Sequence, residues 1–133
     1  MTRLLELGFQ KVGECQRDTN LKSGVRFIVN NLRNDRVIYA YEVEGRVKYI
    51  GVCHNTNTKL KDRMSRYQAM QGAGTNEKIT KLIRECLEKG QQVNIMAWKP
   101  DNKLKLKGIT VDLVKGLENP LIGELNPEWN TQR

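Results

Sequence analysis

The chain has 133 residues, with 23 Lys and Arg against 15 Asp and Glu and a formal net charge of +8. That length allows one domain, or one domain with a short appendage. The positive balance favours an anionic partner, either nucleic acid or an acidic membrane surface. No run approaches the roughly 18 apolar residues of a membrane helix, and the stretch from Met1 to Glu14 lacks the apolar core and cleavage site of a signal peptide.

Residues 8–30 predict two weak strands, Phe9 to Cys15 and Val25 to Val29, with the polar stretch Arg17 to Gly24 turning between them. Residues 1–35 are read as an N-terminal β-rich extension and 36–133 as the main domain. Residues 37–43 and 47–52 are the clearest strands, rich in Val, Ile and Tyr. Thr58 to Met70 is helix-like, with Leu60, Met64 and Tyr67 at i, i+4 and i+7. Gln71-Gly72-Ala73-Gly74 breaks it. A second helix is expected from about Asn76 to Lys89, where Ile79, Leu82, Ile83, Cys86 and Leu87 form one apolar stripe. Thr75 or Asn76 can cap its start, and Gly90 suits its end. Gln92 to Trp98 predicts a third strand, and Lys99 to Gly108 a basic loop. The last helix is expected from Thr110 or Val111 to Leu125, with Val114, Leu117, Leu121, Ile122 and Leu125 inward. This order is α+β, with mixed α/β layers and a small sheet against helices.

Cys15, Cys53 and Cys86 are odd in number and show no CxxC spacing, so a disulfide framework or cysteine zinc site is not expected. Reduced thiols in a cytoplasm are the simple account. His54 is the single histidine, which gives little support to a Cys/His metal site or a histidine triad.

Some residues resist a packing explanation. Glu118 lies four residues from both Val114 and Ile122, at the margin of the apolar stripe, where a carboxylate needs a cation, a metal or strong donors. The bland alternative is a partly exposed Glu beside Pro120, which withholds a backbone hydrogen bond from Gly116. Arg63 and Tyr67 share a helix face. Arg63 there is an anion site, or an Arg whose stem packs while its head reaches water.

The tyrosines depend on register. With a two-residue turn at Glu44-Gly45, Tyr39 opposes Ile50, and Tyr39 and Tyr49 lie on opposite faces. With a three-residue loop, Tyr41 opposes Tyr49 and Tyr39 opposes Gly51, all on one face, with open space beside the Tyr39 ring. Lys78 opposes the dipole at the start of the second helix, which strengthens the case for a phosphate contact, although a solvated lysine is the simpler account. Lys103, Lys105 and Lys107 alternate along the basic loop, either to track a phosphate backbone or to solubilise an arm. Lys11 and Arg66 are further DNA-contact candidates.

The ordered set Val37-Ile38-Tyr39, Tyr49-Ile50-Gly51, Arg63 with Tyr67, Glu118 and Asn130 resembles the GIY-YIG nucleases over about residues 36 to 132. Val37 replaces the family's first glycine. Within the family, the segment LENPLIGELNPEWN is most similar to phage endonucleases, and type II restriction enzymes come next. The resemblance implies a central three-stranded sheet, antiparallel or mixed, flanked by helices. It implies hydrolysis of double-stranded DNA in a bacterial or phage-infected cell, by a dimer or tetramer. Glu118 would hold Mg²⁺, with Mn²⁺ as a substitute. Arg63 would bind the scissile phosphate, and Tyr39 would orient or deprotonate the water. Tyr49 and Tyr67 would position phosphate or water, and Asn130 would fix the local geometry. A tyrosine base carries a difficulty, because forming a phenolate at pH 7 costs about 4 kcal/mol unless cations offset it. The competing reading is a non-catalytic nucleic-acid-binding module on the same scaffold.

Overall fold

The structure is a computed structural model that describes residues 2–30, 36–53, 59–71, 74–101 and 103–130. His54 lies outside the described residues. The elements run α1 (Thr2–Leu7), β1 (Gln10–Arg17), β2 (Val25–Val29), β3 (Val37–Val43), β4 (Arg46–Cys53), α2 (Leu60–Gln68), α3 (Gly74–Glu88), β5 (Val93–Trp98), β6 (Lys105–Leu106), β7 (Ile109–Thr110) and α4 (Leu113–Leu125). No helix among the described residues is long and apolar enough to cross a membrane.

The main sheet has five strands in the order β2-β1-β5-β3-β4, and every pairing is antiparallel. This corrects the expected three-stranded sheet. The two N-terminal strands extend the sheet, because β1 pairs with β5 from Gln10↔Ala97 to Cys15↔Val93. Its cause is burial: Cys15, Val25 and Phe27 join the same core as Tyr41 and Ile95, and an unpaired β5 edge would leave that core open.

Each sheet face carries its own core. One packs Tyr39, Tyr41, Val93 and Ile95 against Leu60, Met64 and Tyr67 of α2 and Ile79 and Ile83 of α3. The other packs Ile38, Ala40, Ile50 and Met96 against Leu4 of α1 and Val114 and Leu121 of α4. Strand alternation divides consecutive residues such as Ile38 and Tyr39 between the two cores.

Two departures from the expected elements have local causes. The basic segment is not all loop. Lys107 and Gly108 both take positive φ, 52° and 82°, the turn that closes a two-residue hairpin between β6 and β7. Thr110 is therefore in a strand. α4 begins at Leu113, where the Asp112 side chain accepts a hydrogen bond from the Lys115 N–H at 3.3 Å. α4 then continues through Pro120 to a left-handed cap at Asn126.

The β3–β4 hairpin meets neither simple alternative. Its turn is the two-residue one, with Val43 opposite Arg46 and Glu44-Gly45 at φ 53° and 82°. Yet Tyr41 opposes Tyr49 and Tyr39 opposes Gly51, as a longer loop would require. A bulge after Tyr41 reconciles the two: Lys48 is the extra residue, and it shifts Tyr49 onto the tyrosine face.

Candidate active site

The four tyrosines of the chain form one cluster. Tyr39, Tyr41 and Tyr67 are fully buried and Tyr49 is half-buried. Ring centroids stand 5.9 Å apart for Tyr39–Tyr41, 6.3 Å for Tyr39–Tyr49 and 5.4 Å for Tyr41–Tyr67. Phe27 from β2 stacks on Tyr67 at 5.8 Å. These offset and edge-on geometries suit the ring quadrupoles. Tyr41 was not expected in the cluster as a site residue. Its hydroxyl donates to the Met64 Sδ at 3.3 Å, which makes it a support for the rings around it.

Polar contacts knit the rest together. The Tyr39 and Tyr67 hydroxyls lie 2.7 Å apart, and the Arg63 Nε–H donates to the Tyr39 hydroxyl at 3.4 Å. α2 supplies both Arg63 and Tyr67, one helical turn apart. Gly51 is what admits the Tyr39 ring: a Cβ there would stand 2.5 Å from the Tyr39 Cζ and hydroxyl. The spacing argument for Gly51 thus has a direct steric basis.

Electrostatics separates the phenols. Burial raises the Tyr39 pKa above its ordinary value and Tyr49 adds to that, against the lowering pull of Arg63 and the Tyr67 hydrogen bond. Burial raises Tyr67 likewise. For Tyr49 burial again leads, Tyr67 and Arg63 oppose it, and the Glu118 carboxylate adds to the rise. Glu118 is half-buried on α4, and its charge is felt at the half-buried Tyr49. Arg63 stays a cation, its pKa held up first by Tyr39. The Cys53 thiol is pushed up to about 11 by burial, with Arg63 and Arg66 opposing.

Asn130 acts on the backbone of β4. Its Oδ1 accepts from the Ile50 N–H and its Nδ2 donates to the Ile50 carbonyl, both at 2.9 Å. The side chain thus imitates a neighbouring strand between Tyr49 and Gly51. The Trp129 N–H donates to the Lys48 carbonyl at 2.8 Å and the Lys48 ammonium pairs with Glu128 at 2.9 Å, so the tail also grips the bulge. Local sequence patterns carry no signal for Glu128 or Trp129 in this role.

The basic candidates lie apart from the cluster's buried centre. Lys11, Arg66, Lys78, Lys103, Lys105 and Lys107 are all exposed. Lys11 is paired with Glu14 at 3.4 Å. A hollow of about 350 Å³ at Arg46, Lys48, Lys89, Glu44, Glu85 and Glu128 balances three cations with three carboxylates and includes none of the site residues.

Among the described residues no three His, Cys, Asp or Glu side chains group into a metal cage. Glu118 alone is still a suitable donor for Mg²⁺, a hard cation that keeps several waters and binds one or two carboxylates together with substrate phosphates.

No known family's sequence profile matches the chain, and no curated protein matches it in sequence. Two solved structures do match in fold. One is a glutamate-to-alanine mutant of bacteriophage T4 EndoII, with TM-score 0.72, 22% identity, and 97% of this chain and 95% of that one covered. The other is restriction endonuclease HPY188I in complex with product DNA, with TM-score 0.57, 19% identity, and coverage of 99% and 84%. The chain has the fold of phage T4 endonuclease II and of a restriction endonuclease, in line with the resemblance to the GIY-YIG nucleases.

Proposed function

We propose that the protein is a metal-dependent endonuclease that hydrolyses phosphodiester bonds of double-stranded DNA. The observation that supports this reading most is the junction of Arg63, Tyr39, Tyr67 and Tyr49, with the Glu118 charge felt at Tyr49. Its fold is shared with two endonucleases, one of them solved with product DNA.

Arg63 is placed to bind the scissile phosphate and to offset the charge that builds on it. Its guanidinium can hold Tyr39 through Nε and still present other nitrogens. Tyr39 is fully buried with a raised pKa, so it serves as a neutral link in a hydrogen-bond chain rather than as a phenolate. Tyr49, the one half-buried phenol of the four, is the group that orients the attacking water. Tyr67 fixes the chain from behind, and Asn130 holds the backbone between Tyr49 and Gly51. Glu118 holds Mg²⁺, or Mn²⁺ with the same preference for oxygen donors, and the bound ion supplies charge stabilisation to the phosphate. Exposed Lys11, Arg66 and Lys78 contribute phosphate contacts away from the cut. One such site cuts one strand, so a symmetric pair of copies would cut both.

The test is plasmid nicking with Mg²⁺ and its suppression by EDTA. Glu118→Ala should abolish cleavage and leave DNA affinity within about twofold, because the phosphate contacts that dominate affinity remain. DNA that is bound but never nicked with either metal would support the non-catalytic binding module instead.

A further inference from the structure

Tyr67 sits where a helix is weakest. α2 has nine residues and ends at Gln68, so Tyr67 lies in its last turn. A helix that short is marginal alone, and its last four carbonyls lack donors within the helix. Yet the Tyr67 hydroxyl has to stay 2.7 Å from that of Tyr39. The turn that carries it needs support from outside α2.

Two side chains outside the tyrosine cluster give that support. Half-buried Gln68 accepts through its Oε1 from the Phe27 N–H of β2 at 2.9 Å. β2 is the end strand of the sheet, where backbone donors face no further strand on one side. The Phe27 ring also stacks on Tyr67, its plane tilted by 22°. β2 thus holds the end of α2 by its backbone and by a ring. From α3, the Thr80 hydroxyl donates to the Tyr67 carbonyl at 2.9 Å. A threonine within a helix can return its hydroxyl to a carbonyl one turn back, but Thr80 crosses to α2 instead. Thr80 is fully buried on the face that also buries Ile79 and Ile83. A hydroxyl there costs stability unless it is bonded, so the bond to Tyr67 accounts for its presence.

From these contacts we infer that Gln68 and Thr80 are positioning residues of the candidate site, which fix the last turn of α2 so that Tyr67 meets Tyr39. Arg63, one turn earlier, keeps its bond to the Tyr39 hydroxyl by the same means. The inference rests on the endonuclease reading and extends it to how the phenols are aligned. It also makes the N-terminal strands part of that alignment, since Phe27 lies outside the residues 36–132 that carry the resemblance to the nucleases. Gln68 and Thr80 act through Tyr67 and not on the duplex. Losing either bond leaves the exposed phosphate contacts in place and lets Tyr67 shift, so the loss falls on kcat and not on DNA affinity.

The experiment compares single-turnover plasmid cleavage and duplex affinity in four variants of the full chain. Gln68→Met keeps the length and loses the acceptor, and Thr80→Val keeps the shape and loses the hydroxyl. Each should lower the cleavage rate about tenfold, a fraction of what a full 1 Å misplacement costs. DNA affinity should stay within about twofold, because phosphate contacts dominate it. The proton shared by the Tyr39 and Tyr67 hydroxyls, followed by NMR, should exchange with water faster in both variants than in wild type. Gln68→Glu keeps an acceptor and Thr80→Ser keeps a donor, so each should restore the rate to within about threefold of wild type. Rates are compared below the melting temperature of every variant. The two positions are changed separately, so a variant that fails to fold leaves the other to decide.

Gln68→Met and Thr80→Val that cut at the wild-type rate, with unchanged hydroxyl exchange, would overturn the positioning role and leave the endonuclease reading standing. A rate lost equally in the Glu and Ser variants, or lost together with DNA affinity, marks general packing damage and overturns it as well. A wild type that never nicks a plasmid with Mg²⁺ or Mn²⁺ removes the endonuclease reading and the inference with it.

Discussion

At the scale of single residues, the candidate site depends on atoms that are absent as much as on atoms present. Gly51 is the clearest case. A methyl group there collides with the Tyr39 ring and hydroxyl at 2.5 Å, and fully buried Tyr39 has no room to retreat. Gly51→Ala should therefore destabilise the fold by about 1–3 kcal/mol, as overpacking does, and depress cleavage as well. Gly116→Ala is the matched control. It lies within α4 with nothing near its added methyl, so thermal denaturation should show a slight gain, about 0.5–1 kcal/mol. Arg63 gives a second test. A lysine keeps the charge but cannot bond Tyr39 and grip a phosphate through one planar group. Arg63→Lys should lower kcat about 10²–10³-fold, the usual loss for a transition-state donor, with little change in thermal stability. Equal cleavage by the two proteins in single-turnover assays would remove Arg63 from the mechanism.

At the scale of elements, the edge strand β4 decides whether the tyrosines meet. It has a neighbouring strand on one side only, and residues 128–130 supply the hydrogen bonds on the other. Asn130→Ala removes two of them, a loss of about 1–2 kcal/mol at roughly 1 kcal/mol or less per bond. It should also speed amide exchange at Ile50 selectively. Asn130→Asp keeps the acceptor for the Ile50 N–H but turns a lone pair toward the Ile50 carbonyl, so it should rescue neither exchange nor kcat. How much of this was legible in the sequence follows from which interactions are local. The two central strands, α2 and α3 show in their periodicity, because each carries its apolar residues at regular intervals. The residues that meet around Tyr39 were marked by the resemblance of their ordered set to the GIY-YIG nucleases, while their spacing alone left packing alternatives open. The Lys48 bulge was not, since nothing in VEGRVKY separates a longer loop from a tight turn followed by an extra residue. The β1–β5 pairing was not legible either, because Gln10 and Ala97 are distant in sequence and Lys and Gln blur the alternation of β1. α1 is too short to show a period, with only Leu4 buried. The Asn130 contacts are invisible for another reason: an amide that bonds a backbone leaves no pairwise residue pattern.

At the scale of the whole molecule, clustering the phenols in the core ties folding to alkaline pH. Tyr39, Tyr41 and Tyr67 all have pKa values raised by burial, and Tyr49 shifts the same way. The native state therefore keeps phenolic protons that the unfolded chain gives up near pH 10. Since stability changes with pH in proportion to protons bound by the unfolded state minus those bound by the native one, this difference is negative above pH 10. The stabilising contribution is thus fully present below pH 10 and is lost as pH rises beyond it. Three buried phenols ionising only on unfolding give a fall of about 4 kcal/mol per pH unit, at 1.36 kcal/mol per proton. The thiols of Cys15, Cys53 and Cys86 shift upward too, so the decline should begin near pH 9. Urea denaturation between pH 8 and 11 should show this loss, and tyrosinate absorbance should rise together with unfolding rather than before it. Tyrosinate absorbance from three or more phenols in a chain that is still folded would mean that the core is wetter than the structure shows. Buried Tyr39 would then be available as a phenolate base after all.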